Sequence, residues 1–113
     1  MNNFIYKICS TEEWKAAKNL GIFKGTKKDL IDGFIHFSSK KQLGSTLKKY
    51  FFKKDNLIIL KVELLNLENL KWEKSQSGEI FPHLYSQLNL RNVNDKFKIT
   101  VNNNGFHDLP LKL

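Results

Sequence analysis

Three observations predict an α+β fold for this 113-residue chain. Two capping-box patterns in the first half, S-T-E-E at 10–13 and S-x-x-Q at 39–42, announce helices. Runs rich in β-branched and aromatic residues, such as LIILKVEL (57–64) and KFKITV (96–101), read as strands. Two early helices set among strands that cluster in the second half give α+β rather than an alternating α/β order. With 41% hydrophobic residues and nine Phe the chain can fill one core, so a single domain over 1–113 is expected.

The elements follow in order. FIYKIC (4–9) has the bulk and branching of a first strand. Ser10 and Glu13 then start a helix from Thr11 to about Leu20, with Gly21 where a C-terminal cap belongs. Its Trp14 and Ala17 face inward and its lysines face water. Residues 24–33 read as a polar connection, and 34–38 as a strand. Ser39 and Gln42 open a second helix, in which Leu43, Leu47, Tyr50 and Phe51 form one apolar stripe. The lysines at 48, 49, 53 and 54 suit the negative end of its dipole. Gly44 inside it suggests the close approach of a strand or ligand. Asp55-Asn56 is a turn before the strand at 57–64, and LKWEK (70–74) is a shorter strand. EIFPHLY (79–85) is extended, and Pro82 argues for an edge or a bend. KFKITV should be a half-buried last strand, closed by the turn NNNG.

Composition excludes several classes. MNNFIYKICS lacks the basic and apolar regions of a signal peptide, and LIIL (57–60) is far too short to span a membrane. The one cysteine, Cys9, rules out an internal disulfide and fits a reducing compartment, so a cytoplasmic location is expected. Cys9 lies in an apolar strand and reads as core rather than nucleophile. His36, His83 and His107 show no short ligand spacing, so no metal site is expected. Neither a Walker A loop, nor G-x-G-x-x-G, nor G-x-S-x-G is present.

The net charge of +8 raises the question of a polyanionic partner. Arg91 is the only arginine, and arginine is the residue suited to bidentate phosphate and base contacts. The lysine pairs are scattered and accompanied by many Asn, the composition an AT-rich genome produces. The charge therefore reads mainly as solvated surface, and nucleic-acid binding, if present, as indifferent to sequence. The alternative function is a non-catalytic module that binds a protein or nucleic acid through a lysine-rich face.

Two stretches depart from a plain surface pattern. If DGFIHFSS (32–39) is extended, Phe34, His36 and Ser38 share one side. In FPHLY (81–85), His83 and Tyr85 do the same. A buried imidazole or hydroxyl costs a few kcal/mol (~2–7) unless partnered, so polar groups in such runs call for a reason. His36, Ser38, His83 and Tyr85 are expected to converge on one cleft with Lys7 at its rim. Taken singly, Glu73 and Glu79 read as solvated.

The succession IYKI-C-S-x-E-E-W (5–14), DLIDGFIHFSS (29–39), Gln42, Tyr50-Phe51, KWEKS (71–75) and FPHLY (81–85) resembles the small bacterial family called domain of unknown function 952. The resemblance implies a split, mixed β-structure like that of the ADP-ribosyltransferases, whose cleft binds NAD in active members. It places Tyr6 and Lys7 on the first strand, His36 and Ser38 on a second, and Glu73, Glu79 or His83 at the later glutamate position. By that reading His36, Ser38, Glu73, Glu79 and His83 are the candidates for chemistry, and Tyr6, Lys7, Phe37 and Tyr85 for ligand contact. The implied ligand is NAD or a related nucleotide, with ADP-ribose transfer or glycosidic hydrolysis as the corresponding reaction. Fold likeness alone does not convey activity.

Overall fold

The structure, a computed structural model, describes residues 3–113. Its main sheet is antiparallel, with β1 (Phe4–Ser10) and β8 (Val93–Ile99) on either side of β4 (Leu57–Glu63). Alternation along the strands divides the core in two. Ile5 and Cys9 join Ile58, Leu60 and Val62 in one cluster, while Tyr6 and Ile8 join Leu57, Ile59 and Ile99 in the other. Because β4 is covered on both faces, it can be apolar without interruption over 57–60, unlike a half-buried strand.

The helix α1 (Thr11–Leu20) contributes Trp14 and Ala17 to the first cluster. Its start is fixed as the sequence predicts: Ser10 Oγ accepts from Glu13 N at 3.0 Å, and Glu13 Oε1 accepts from Ser10 N at 2.7 Å. Gly21 ends it in the left-handed conformation at φ 87°. On the opposite face of the main sheet, α3 (Leu43–Tyr50) contributes Leu43 and Leu47 to the second cluster.

Several elements differ from the sequence expectation, among them the last strand, which runs Val93–Ile99 rather than over 96–101. After a short strand β2 (Ile22–Phe23), residues 24–33 contain a helix, α2 (Lys27–Asp32), rather than an irregular connection. Thr26 and Asp29 form a third capping box, which a polar six-residue helix without an apolar stripe conceals from periodicity. The strand expected at 34–38 is only β3 (Ile35–His36), and the second helix is preceded by one 3-10 turn at Lys40–Gln42. Tyr50 leaves the apolar stripe and is exposed, and a Cβ added at Gly44 would meet only Leu109 Cδ1, at 4.0 Å, so no close approach occurs there.

The second sheet positions the candidate site. β6 (Ile80–Leu84) lies between β3 and β5 (Leu70–Lys74), all antiparallel. Pro82 is thus in the middle strand, not at an edge. Its carbonyl accepts from Phe37 N at 3.0 Å, in register with the β3–β6 ladder. Having no N–H to return to Phe37, it leaves that pair with one bond, and β3 ends at His36. Ile35, Phe37 and Leu84 turn one face of this sheet into the first core cluster. A reciprocal pair of 2.8 Å hydrogen bonds between Tyr6 and Ser38 joins the two sheets. A third small pair, β2 with β7 (Leu88–Asn89), completes the architecture.

Candidate functional site

The residues on the outer face of the second sheet are set by register. His36 lies directly opposite His83, and Lys71 opposite His83 on the other side. The His36 N–H turns away from β6 to Asp29, which makes His36 and His83 a pair without main-chain hydrogen bonds between them. Such pairs bring side chains closest together. The two imidazole centroids are 5.6 Å apart in an edge-on arrangement. Phe34 sits among them, 4.5 Å from the His36 ring, 4.2 Å from His83 and 5.3 Å from the Tyr85 ring.

Each imidazole has its Nδ1 against a carboxylate. Asp29 Oδ1 lies 2.6 Å from His36 Nδ1, and Glu73 Oε1 lies 2.8 Å from His83 Nδ1. Asp29 does much more besides. Its Oδ2 accepts from Thr26 N at 2.8 Å, its Oδ1 from His36 N at 3.1 Å, and Lys7 Nζ approaches Oδ2 to 2.7 Å. Gly33, left-handed at φ 86°, reverses the chain from α2 into β3 so that one carboxylate reaches all of these. Gly25 permits the packing, since a Cβ there would lie 2.8 Å from Asp29 Cβ.

Lys7 and Asp29 are both buried, at 4% and 2% exposure. Burial pushes the Asp29 carboxyl up, but the His36 hydrogen bond and the Lys7 ammonium outweigh it and hold the group well below the usual carboxylate range. Burial pulls the Lys7 ammonium down, and Asp29 opposes it. The geometry assigns the charged pair: Lys7 Nζ faces both Asp29 oxygens and donates to His36 O at 2.9 Å, acceptors that suit an ammonium. His36 Nε2 lies 3.0 Å from Asp32 Oδ2, so both its ring nitrogens face carboxylates.

Glu73 is differently placed, on the solvent side of β5. Its Oε1 receives the Tyr85 hydroxyl at 2.6 Å as well as His83. Those two hydrogen bonds, Tyr85 first, lower its pKa, and the same carboxylate raises that of the Tyr85 phenol. Among the described residues Glu73 Oε2 and His83 Nε2 have no hydrogen-bond partner. A shallow cleft of about 270 Å³ adjoins this face at Phe34 and Tyr85, and Lys24, Ser86 and Gln87 also line it.

His36, His83, Tyr85 and Glu73 therefore come together, and the other expected site residues do not. Lys7 is not at a rim: it points from β1 into the interior, where Asp29 neutralises it. Ser38 is buried, and its Oγ lies 3.2 Å from Thr46 Oγ1 on α3, away from the histidines. Glu79 is at the far end of β6, accepting from Gln42 Nε2 at 3.2 Å. Tyr6 faces the second core cluster and donates to Leu113 O at 3.1 Å, while Phe37 is core. Burial pushes the Cys9 thiol up to about 12, in keeping with a core residue. Sequence reasoning passed over Asp29 and Asp32, and set Phe34 on the histidine side without naming it for the site. The T-x-x-D pattern at 26–29 is the signal that could have found Asp29.

The family model described as protein of unknown function (DUF952) matches residues 8–96. This chain belongs to that family. Among solved structures, the crystal structure of protein CC0527 from Caulobacter crescentus is 44% identical, superimposes with a TM-score of 0.88, and the match covers 94% of each chain. A crystal structure of a double mutant of CC0527 is 43% identical with a TM-score of 0.88, again over 94% of each chain. The solution NMR structure of CC0527 is 43% identical with a TM-score of 0.83, covering 93% of this chain and 91% of that one. No curated protein matches. In this chain the DGFIHFSS and FPHLY stretches supply the paired histidines. Among the described residues no helix is long and apolar enough to cross a membrane.

Proposed function

We propose that the outer face of β3-β6-β5 and the adjoining cleft bind a nucleotide of the NAD or ADP-ribose class, and that Glu73 and His83 act on its glycosidic bond. The observation that carries this reading is the placement of Glu73, His83 and Tyr85 in one hydrogen-bonded set beside aromatic rings and an open cleft. Phe34 and Tyr85 offer flat faces for a base or nicotinamide ring. Lys24 in the cleft, and Lys71, 5.2 Å from the Tyr85 ring, offer positive charge for the phosphates. The ADP-ribosyltransferase-like fold that the sequence motifs imply would favour the same class of ligand.

The chemistry follows from which groups are free. Glu73 stays ionised because His83 and Tyr85 hold one of its oxygens. Its second oxygen is available for the ribose 2′-hydroxyl and for the positive charge that develops at the anomeric carbon. With Nδ1 donating to Glu73, His83 presents the Nε2 lone pair, placed to take a proton from an attacking water or acceptor hydroxyl. The new bond forms from that oxygen to the anomeric carbon, and the base leaves with the bonding electron pair. Isothermal titration of NAD, ADP-ribose, mononucleotides and RNA tests the reading. NAD or ADP-ribose should bind, and Glu73→Gln and His83→Ala should each weaken binding or turnover about tenfold or more. Failure of all the nucleotides to bind would remove it.

A further inference from the structure

A second surface, on the far end of α3, has a different character. The chain leaves α3 through residues 51–54, and the turn at 102–106 folds back onto it. Lys53, left-handed at φ 65°, donates its N–H to Gly105 O at 2.8 Å. Gly105 presses so closely that a Cβ there would lie 2.8 Å from Phe52 Cε1. The Phe52 and Phe106 rings pack at 5.0 Å, yet remain 42% and 38% exposed, and Tyr50 on the last turn of α3 is 49% exposed.

Lysines surround these rings. Lys48 lies 5.5 Å from the Phe106 ring, Lys53 5.4 Å from Phe52, and Lys49 and Lys28 5.2 and 5.9 Å from Tyr50. Among the described residues the ion-paired lysines are Lys7 and Lys28, so Lys48, Lys49 and Lys53 carry uncompensated charge. The helix dipole accounts for Lys48 and Lys49 at a C-terminus but not for the open rings between them. The Phe52 and Phe106 rings, at 51° to each other, are held half-exposed by the neighbouring turn, which fixes them in place.

We propose that this surface binds single-stranded nucleic acid, bases stacking on Phe52 and Phe106 and phosphates lying against Lys48 and Lys53. Stacking serves any base, and lysine acts as a point charge without the bidentate geometry of arginine. The surface therefore binds strands with little regard to sequence. It goes beyond the reading given for the histidine face.

Fluorescence anisotropy with a labelled oligouridine of about 20 nucleotides, stepped from about 50 to 200 mM salt, tests the proposal. The single strand should bind at least about tenfold more tightly than a duplex of equal length, whose bases are already stacked. Phe52→Leu and Phe106→Leu keep apolar packing but remove the aromatic rings. Each should weaken binding about five- to a hundredfold while leaving the salt slope unchanged. Lys48→Gln should instead reduce the slope by about 0.7. Circular dichroism confirms that each variant is folded. The proposal is overturned if the single strand does not bind at the lowest salt, or if duplex binds equally well. It is also overturned if the folded Leu variants bind as tightly as the parent, which would mean a lysine surface alone, or if only anionic vesicles bind.

Discussion

Two carboxylate–imidazole pairs face each other across the β3–β6 ladder, Asp29 with His36 at 2.6 Å and Glu73 with His83 at 2.8 Å. Their side-chain exposures are opposite: 2% for Asp29 with 28% for His36, against 37% for Glu73 with 8% for His83. Asp29 spends both oxygens on Lys7, Thr26 and His36, and thereby ties β1, α2 and β3 together. Glu73 spends one oxygen and leaves the other to solvent. What a carboxylate–histidine pair does in this fold is thus decided by how many other elements its carboxylate holds. The first pair is a structural joint, and the second is free to meet a ligand.

The largest effect that would sharpen this contrast is on stability. Asp29→Asn leaves the Lys7 ammonium buried without its counter-charge and should cost about 3–5 kcal/mol in denaturant unfolding. Combining it with Lys7→Met should restore part of that loss, because removing both charges is less harmful than stranding one. If the double variant were less stable than the sum of the two singles, the pair would not be the joint described here.

The same pair makes a pH prediction. The Asp29 pKa is lower in the folded protein than in the unfolded chain, so its contribution is fully present above the unfolded value of about 4. It is lost as pH falls from there towards the folded value. The stability gap between the parent and Asp29→Asn should be flat from about pH 5 to 7 and shrink below about pH 4, as unfolding at stepped pH would show. A gap that widens in acid would contradict the assignment.

Gly25→Ala probes the packing of the joint from outside. At φ 114° and with Asp29 Cβ in the way, an added methyl should cost about 1–3 kcal/mol, read as a lowered melting temperature. Ser10→Ala removes a helix cap remote from both pairs and should cost about 1 kcal/mol by the same measurement, without altering ligand binding.

The legibility of these regions in the sequence differs for the same reason. Helix α1 and strand β5 occur at the residues expected, because a capping box and a β-rich run are local signals. The polar face of the second sheet was legible too, since alternation in IHF and FPHLY decides which side chains share a side. What makes the joint was not. Nothing in YKI says that Lys7 turns inward, because its partner lies 22 residues away on a helix too short and polar to show periodicity. Ser38 illustrates the converse: parity would place it beside His36, but β3 ends first and the chain turns to pair with Tyr6. Glu73 gave no local sign because its role depends on its cross-strand neighbours, visible only once β5 and β6 pair.

The contrast is tested most directly by measuring ligand affinity and melting temperature together for Glu73→Gln and Asp29→Asn. NAD and ADP-ribose are the ligands, titrated at a temperature where both variants remain folded. The account predicts that Glu73→Gln keeps the parent melting temperature to within about 2 °C, as a surface substitution should, while losing about tenfold or more in affinity. Asp29→Asn should melt far lower yet retain measurable binding. If Glu73→Gln instead binds as the parent does while its melting temperature collapses, both pairs are structural and the ligand site lies elsewhere.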